Sequence, residues 1–592
     1  MRAAAYAFAL IILLSLFPMA ARSQPVAPPE HEHHDDAFVA PPPSPALLAG
    51  GIDLRGPSQF MAGEVAVLLV LPESTGAIDP SREDWTPEQI AAVAGQVQAA
   101  LDWWDTHLPL ANLSFQLRVQ VVPTDYEPTS RPLAEEGLWI GDTLRRLGFG
   151  GASHFDQAYA AADALRDELG ADWGTVVFVP NSANGAGYLA DGRFAYAYIN
   201  GPFSVITSDA GGHGAANLAH VVAHELGHTF GALDQYPSAR VGCEQRSGYL
   251  NAPTSNSQYG GCGTQLPSIM LDASGAFVAG QIDPSALAQL GYRDGDGDGV
   301  IDPLDTTPAV ELQERALAAG TGRPVLRGVT RDIPFPSALQ NDVTLNTIRA
   351  VEYRVDGGHW LPMDPADGAF DSAVEEFGAE LPLYDGRFRV EVRAVNSAGT
   401  ASATVERQLE ITTMGPAPRY AVRAPAAVAA PAVPLALVAP PTTTGVQVSE
   451  DPGFRGATWQ PYRPEVAFPL PGADGPRMLY VRFRDQFGLA SLPLAATAVL
   501  DTAPPTGSAL RPPAEPTRLL LSAQDASTAV TDVEVQVGDG APVWMPYAPS
   551  LALPQAAGEQ PVAVRFRDAA GNVSPQVPAP LGYRVALPLV RR

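Results

Sequence analysis

Apolar and polar positions change rhythm along this chain in a way that divides it. Residues 64–71 form a short unbroken apolar run, which predicts a strand buried on both faces. Thr86-Pro87-Glu88-Gln89 combines a helix cap, a first-turn proline and a capping-box partner, and predicts a helix running to about His107. Residues 113–122 alternate as a strand does, and 175–179 read as another. Phe194, Tyr196 and Tyr198 alternate too, which predicts a strand with one aromatic face. Residues 215–230 then predict a helix, and Asp283-Pro284 caps a last short helix ending near Gly291.

Beyond Pro308 the pattern turns to short β segments with an internal repeat. Val392-Arg393-Ala394-Val395-Asn396-Ser397-Ala398-Gly399 returns as Val481-Arg482-Phe483-Arg484-Asp485-Gln486-Phe487-Gly488. It returns again as Val564-Arg565-Phe566-Arg567-Asp568-Ala569-Ala570-Gly571. A tryptophan precedes each copy: Trp360, Trp459 and Trp544. Alternating strands with Gly-rich turns at this period fit a β-sandwich, and the copies resemble the immunoglobulin-like modules at the ends of secreted bacterial proteins. Three all-β sandwiches are therefore expected over 309–414, 415–505 and 506–592, as spacers that carry no ligand.

Composition narrows the class. At 592 residues the chain is too long for one core, and 46% hydrophobic with 17% charged residues excludes a disordered chain. The 55 Gly and 58 Pro favour short strands and turns over long helices. A formal charge of −27 argues against nucleic acid and acidic lipid as partners. Arg2, an apolar run to Met19 and Ala21-Arg22-Ser23 read as a signal peptide over 1–23, with a membrane anchor as the competing reading. A secreted, monomeric protein with no transmembrane segment after signal removal is expected. Residues 24–50 are a Pro/His-rich linker, in which His31-Glu32-His33-His34-Asp35-Asp36 is either a solvated tract or a metal binder. Cys243 and Cys262 are the only cysteines, and in an exported chain they read as one local disulfide.

The strongest chemistry lies in His224-Glu225-Leu226-Gly227-His228. Two histidines four apart share one helix face and reach a single metal, while Glu225 lies to the side as a general base toward water. Gly231 lets the helix turn, and Asp234 then arrives where a third zinc ligand is needed. Three protein ligands leave the fourth position open, as catalytic zinc sites do. Residues 224–236 resemble the metzincin metallopeptidases, in the form whose third ligand is Asp, as in snapalysin-type members. Ser268-Ile269-Met270 resembles the Met-turn of that family, which implies that Met270 packs beneath the ligand histidines. The resemblance implies an α+β metzincin-like catalytic domain over 51–292, with a mixed sheet plus an active-site helix, acting on protein or peptide substrates. Asp272 stands where some relatives place a tyrosine, so no tyrosine switch is expected there.

A second metal is suggested at 293–308. Asp294, Asp296, Asp298, Asp302 and Asp305 occupy positions 1, 3, 5, 9 and 12 of a loop, with Gly299 at 6 and the Val300 carbonyl at 7. Hard oxygens at that spacing suit calcium, and the run resembles the loops of dockerins and thrombospondin type 3 repeats. The leading expectation is a secreted zinc-dependent endopeptidase with a calcium-stiffened stalk. The competitors are an extracellular adhesion or scaffold protein with a non-catalytic zinc site, and a zinc hydrolase of non-peptide amides.

Overall fold

The computed structural model describes residues 58–185, 187–314, 316–319 and 321–582. The expected signal segment and the histidine-rich tract lie outside these residues. The chain divides into two compact units. Among the described residues, one comprises those up to Asp305 together with Pro334–Leu345, and the other holds Thr306–Ile333 and those from Asn346 onward.

The first unit is built on a five-stranded sheet in the order β2-β1-β3-β5-β4. Its strands are β1 (Glu64–Ser74), β2 (Ser114–Thr124), β3 (Trp173–Phe178), β4 (Ala195–Ala197) and β5 (Phe203–Ile206). The first three and β5 run parallel, while β4 lies antiparallel at the edge, so the sheet is mixed. The apolar run in β1 is explained by cover on both faces. Val65, Val67, Leu69 and Leu71 face one core; Ala66, Leu68 and Val70 face another. On the first face lie α1 (Pro87–His107) and α4 (Leu218–Thr229); on the second, α2 (Glu136–Arg146) and α3 (His154–Leu169). Helices on both faces are what parallel strands require, since their crossovers run over the sheet.

The predicted capping box of α1 is present: Thr86 Oγ1 accepts from Gln89 N, and Gln89 Oε1 accepts from Thr86 N. Two helices, α2 and α3, were not expected. The second begins with its own box, Ser153 with Asp156, and ends at Gly170 with φ +68°. Replacing Ser153 with Ala is expected to cost about 1 kcal/mol, read by chemical denaturation. The aromatic alternation before β5 needs correction. Tyr196 and Tyr198 share the α2–α3 side, but Phe194 belongs to the opposite core. It precedes a strand of only three residues, directly after the tight turn in which Leu189 N donates to Arg193 O.

The second unit is all β. Its sheets pair into three sandwiches, each closed over a core of its own. Leu326 and Phe377 meet Val351 and Val392 in the first; Val433 and Leu435 meet Val481 and Phe483 in the second; Leu519 and Leu521 meet Val564 and Phe566 in the third. Each repeat copy ends a long central strand: Gly386–Asn396, Gly475–Asp485 and Val562–Asp568. Asn396, Asp485 and Asp568 close the turn by accepting, at 2.9 Å, from the backbone N–H four residues on. The repeated glycines follow with φ of +90°, +82° and +99°, a backbone that other residues adopt at a cost. The preceding tryptophans lie under the repeat arginines: Arg393 over Trp360, Arg484 over Trp459 and Arg567 over Trp544. Motif and tryptophan are thus two halves of one stacked pair.

Candidate metal centre

The helix α4 carries the predicted motif. Leu218, Val222 and Leu226 anchor it in the core, and Trp104 of α1 donates its indole N–H to Ala223 O at 3.0 Å. His224, Glu225 and His228 are all buried. The two histidines turn their Nε2 atoms toward each other at 3.2 Å. Each ring is held from behind, His224 Nδ1 on Ile269 O at 2.8 Å and His228 Nδ1 on Ala232 O at 2.7 Å. A carbonyl only accepts, so both Nδ1 atoms carry hydrogen, and in the neutral rings both Nε2 lone pairs point into one space.

Asp234 enters the same space. The helix stops at Thr229, and Gly231, at φ +96°, reverses the chain while Ala232 N donates back to Gly227 O. Asp234 Oδ1 then stands 3.0 Å from His224 Nε2 and 3.3 Å from His228 Nε2, and it receives no aligned hydrogen bond although buried. Three acceptors aimed at one point repel unless a cation lies among them. Burial disfavours a charged imidazole at His228, yet the Asp234 carboxylate outweighs it and pushes the pKa up to about 9. Burial also opposes charge on Asp234, but the neighbouring histidines hold it well below the usual carboxylate range. Two imidazoles and a carboxylate are a donor set that suits zinc and leaves a position open.

Glu225 lies beside this group. Its Oε2 is buried without a partner, and burial raises its pKa while His228 and His224 pull it down. Met270 packs against the helix that carries the two histidines. It is fully buried, and a Cβ added at Gly227 would lie 2.9 Å from its Sδ. The turn around it does a second job, because Ile269 O is the acceptor that orients His224.

Sequence reasoning missed the groups that hold Asp234 in place. Gln289 Oε1 accepts from Leu233 N at 2.9 Å, and Gln235 N donates to Met270 O at 2.9 Å. Asp283 was expected only as a helix cap. It does cap Pro284–Gln289, and its other oxygen also accepts from Ser268 Oγ at 2.8 Å and Gln235 Nε2 at 2.6 Å. The Asp283-Pro284 cap was the one legible trace of this network. Asp272 caps the helix Ala273–Ala279 rather than facing the centre, and the Tyr236 ring lies 6.4 Å from that of His224. His220 packs on Phe277, with ring centroids 4.5 Å apart.

Elsewhere in the first unit, Cys243 and Cys262 form a disulfide, with Cα atoms 5.4 Å apart. The acidic loop brings Asp294, Asp296 and Asp298 together. Asp302 turns away to Arg293, whose Nε donates to it at 2.6 Å, and also accepts from Gly295 N. Burial, then Asp298 and its acidic neighbours, raise the pKa of Asp305, which is not among the three converging carboxylates. The Val300 N–H donates to Asp298 Oδ1. A third acidic group, Asp501, Asp525 and Asp568, was not foreseen; its oxygens accept from Thr528, Ala503 and Asn572.

No family model matches this chain, and no curated protein matches it. Solved structures do. The FN1–FN3 domains of chicken CNTN1 align at 10% identity and a TM-score of 0.20, over 46% of this chain and 98% of that one. The fibronectin(III)-like modules of Clostridium thermocellum CbhA align at 12% and 0.12, over 33% and 94%. The SGBP-B protein of Bacteroides ovatus, solved with a mixed-linkage heptasaccharide, aligns at 11% and 0.15, over 39% and 60%. At such values the sandwich assignment rests on the sheets and cores of this chain itself.

Among the described residues no helix is long and apolar enough to cross a membrane. Gly231 offers a direct check on the turn that delivers Asp234. A Cβ there would lie 2.7 Å from Gly248 Cα, at a backbone φ that disfavours L side chains. Gly231→Ala is expected to cost about 1–3 kcal/mol and to lower the melting temperature by several degrees.

Proposed function

We propose that this chain is a zinc-dependent endopeptidase of metzincin type, exported from the cell. The observation that carries the reading is the convergence of His224, His228 and Asp234 on one point with the unpartnered Glu225 carboxylate beside it. When bound, zinc supplies a Lewis acid that acidifies water and polarises a carbonyl. Glu225 accepts the proton of the attacking water and returns it to the leaving amine nitrogen. Its buried oxygen has no competing donor, and burial brings its basicity nearer neutral pH. Asp234 and the Nδ1 acceptors Ile269 O and Ala232 O keep the imidazoles fixed.

The sheet supplies a place for an extended substrate. Thr207 N donates to Phe194 O across the β4–β5 pair, so the alternation of an antiparallel ladder turns the N–H and C=O of Ala195 and Ala197 outward. Among the described residues β4 pairs with no other strand. A polypeptide can add there as one more strand, next to α4, on which β4 packs. The disulfide supports an oxidising compartment. The Asp294–Asp296–Asp298 group is proposed to take calcium, in keeping with its oxygen-only ligands.

The deciding experiment combines metal analysis of the purified chain with hydrolysis of unfolded casein, before and after chelation and zinc return. About one zinc per chain, with activity lost and regained, is the expected result. Bound zinc with no hydrolysis of casein or of a broad peptide library would overturn the peptidase and favour a scaffold with a silent metal site.

A further inference from the structure

The face of β4 turned away from the metal carries a built feature that neither ligation nor proton transfer uses. Tyr196 and Tyr198 project to that side, and both hydroxyls donate to Glu136, at 2.7 Å to Oε2 and 2.5 Å to Oε1. His154 Nε2 lies 3.0 Å from the same Oε1, and Glu136 is buried at the start of α2. Gly137 makes room for the histidine, since a Cβ there would lie 2.7 Å from His154 Nδ1. Over this floor opens a cleft of about 560 Å³, walled by Arg131, Leu133, Ala134, Glu135 and Leu138 and reaching Tyr198 at the end of the edge strand.

Strand geometry says which substrate side chains meet it. In an antiparallel pair, residues directly opposite each other point to the same face. A polypeptide added to the free edge of β4 therefore sends the residues opposite Tyr196 and Tyr198 toward α2, into the cleft, and the residues between them toward α4 and the metal ligands. Charge says what they are. Arg131 is occupied: its Nε and NH2 groups donate to both oxygens of Asp79, at 2.8 and 2.6 Å, and its NH1 donates to Glu135 at 2.7 Å. One guanidinium shared by Asp79 and Glu135 does not balance the carboxylates around it, Glu135 at the mouth and Glu136 beneath, so the walls and floor stay acidic.

We propose that this cleft is a specificity subsite that takes a basic side chain, lysine or arginine, of an extended polypeptide lying on β4. The aliphatic stem packs on Leu133 and Leu138, and the cationic end meets Glu135. The proposal rests on the peptidase reading for its substrate and predicts selectivity at one position, away from the scissile bond.

Two variants at exposed positions test it: Glu135→Lys, which reverses the charge at the mouth, and Ala134→Trp, which fills the cleft. The zinc-loaded wild type is offered a peptide library with Arg, Ala or Glu at each position. The same peptides are titrated calorimetrically onto zinc-loaded Glu225→Gln protein, with and without the two substitutions. The expected result is a preference of at least about tenfold for Arg over Glu at one position, in kcat/KM and in affinity, equivalent to about 1.4 kcal/mol. Glu135→Lys should abolish or invert it, and Ala134→Trp should weaken only the peptides carrying the basic residue. No positional preference, or one unchanged in both variants, overturns the subsite. If the wild type cleaves nothing, the peptidase reading fails, and the calorimetry on Glu225→Gln still decides whether the cleft selects basic peptides.

Discussion

Glu225→Gln should keep a full complement of zinc and a wild-type melting curve, yet hydrolyse peptides about 10²–10⁴-fold more slowly, the range a positioned general base supplies. The substitution is close to isosteric and sits beside the ligands rather than among them, so His224, His228 and Asp234 are left as they are. What it removes is a carboxylate beside the three converging side chains whose buried oxygen has no donor and whose basicity burial has raised. A glutamine amide hydrogen-bonds to water but accepts no proton at neutral pH. The measurement is kcat on a quenched peptide beside zinc content of the same sample. Turnover within a few-fold of wild type would place the base elsewhere and remove Glu225 from the mechanism.

Asp234→Ala should act on the metal itself. Loss of an outer-shell partner commonly lowers metal affinity by 10–100-fold, so loss of a ligand carboxylate should exceed about 100-fold. The two imidazoles remain, but their Nε2 atoms are left 3.2 Å apart without the anion that draws a cation between them. Competition against a chromophoric chelator reads the affinity, and thermal melting reads its linkage to stability: zinc that raises the melting temperature of the wild type should no longer do so at the same concentration. An undiminished affinity would show that some other group completes the site.

Much of this architecture was legible because it depends on local spacing. The apolar run of β1, the box at Thr86 and the four-residue histidine interval each encode geometry within a few residues, and each stands as read. The apolar stripes of α2 and α3 are weak signals, Trp139, Ile140 and Leu144 interrupted by buried polar residues in α2 and mostly alanine in α3, although Ser153 with Asp156 and the terminal Gly170 mark the second. Of the candidate site, the converging side chains could be seen in sequence and their supports could not. Ile269 O and Ala232 O are backbone atoms with no side-chain signature, while Gln289 reaches Leu233 across 56 positions. The aromatic face drawn through Phe194 failed for the opposite reason, because a two-residue alternation was extended past a strand only three residues long. In the sandwiches, the repeat announced the turn and the tryptophan, and only the structure showed that arginine joins them.

The first unit is not finished where its main segment stops. Tyr249, fully buried, donates its hydroxyl to Phe335 O at 2.6 Å and accepts from Val343 N at 3.1 Å, and both partners come from the Pro334–Leu345 excursion. From Asp305 to Leu345 is 345 − 305 = 40 residues, or about 2–8 s of synthesis at about 5–20 residues per second. The first unit thus waits on a stretch of chain made after it, and its completion is timed by the opening strands of the first sandwich. That interleaving also sets what can be exchanged by recombination. Exchange of the second or third sandwich leaves the Tyr249 contacts in place, whereas removal of the first with its Pro334–Leu345 excursion opens them.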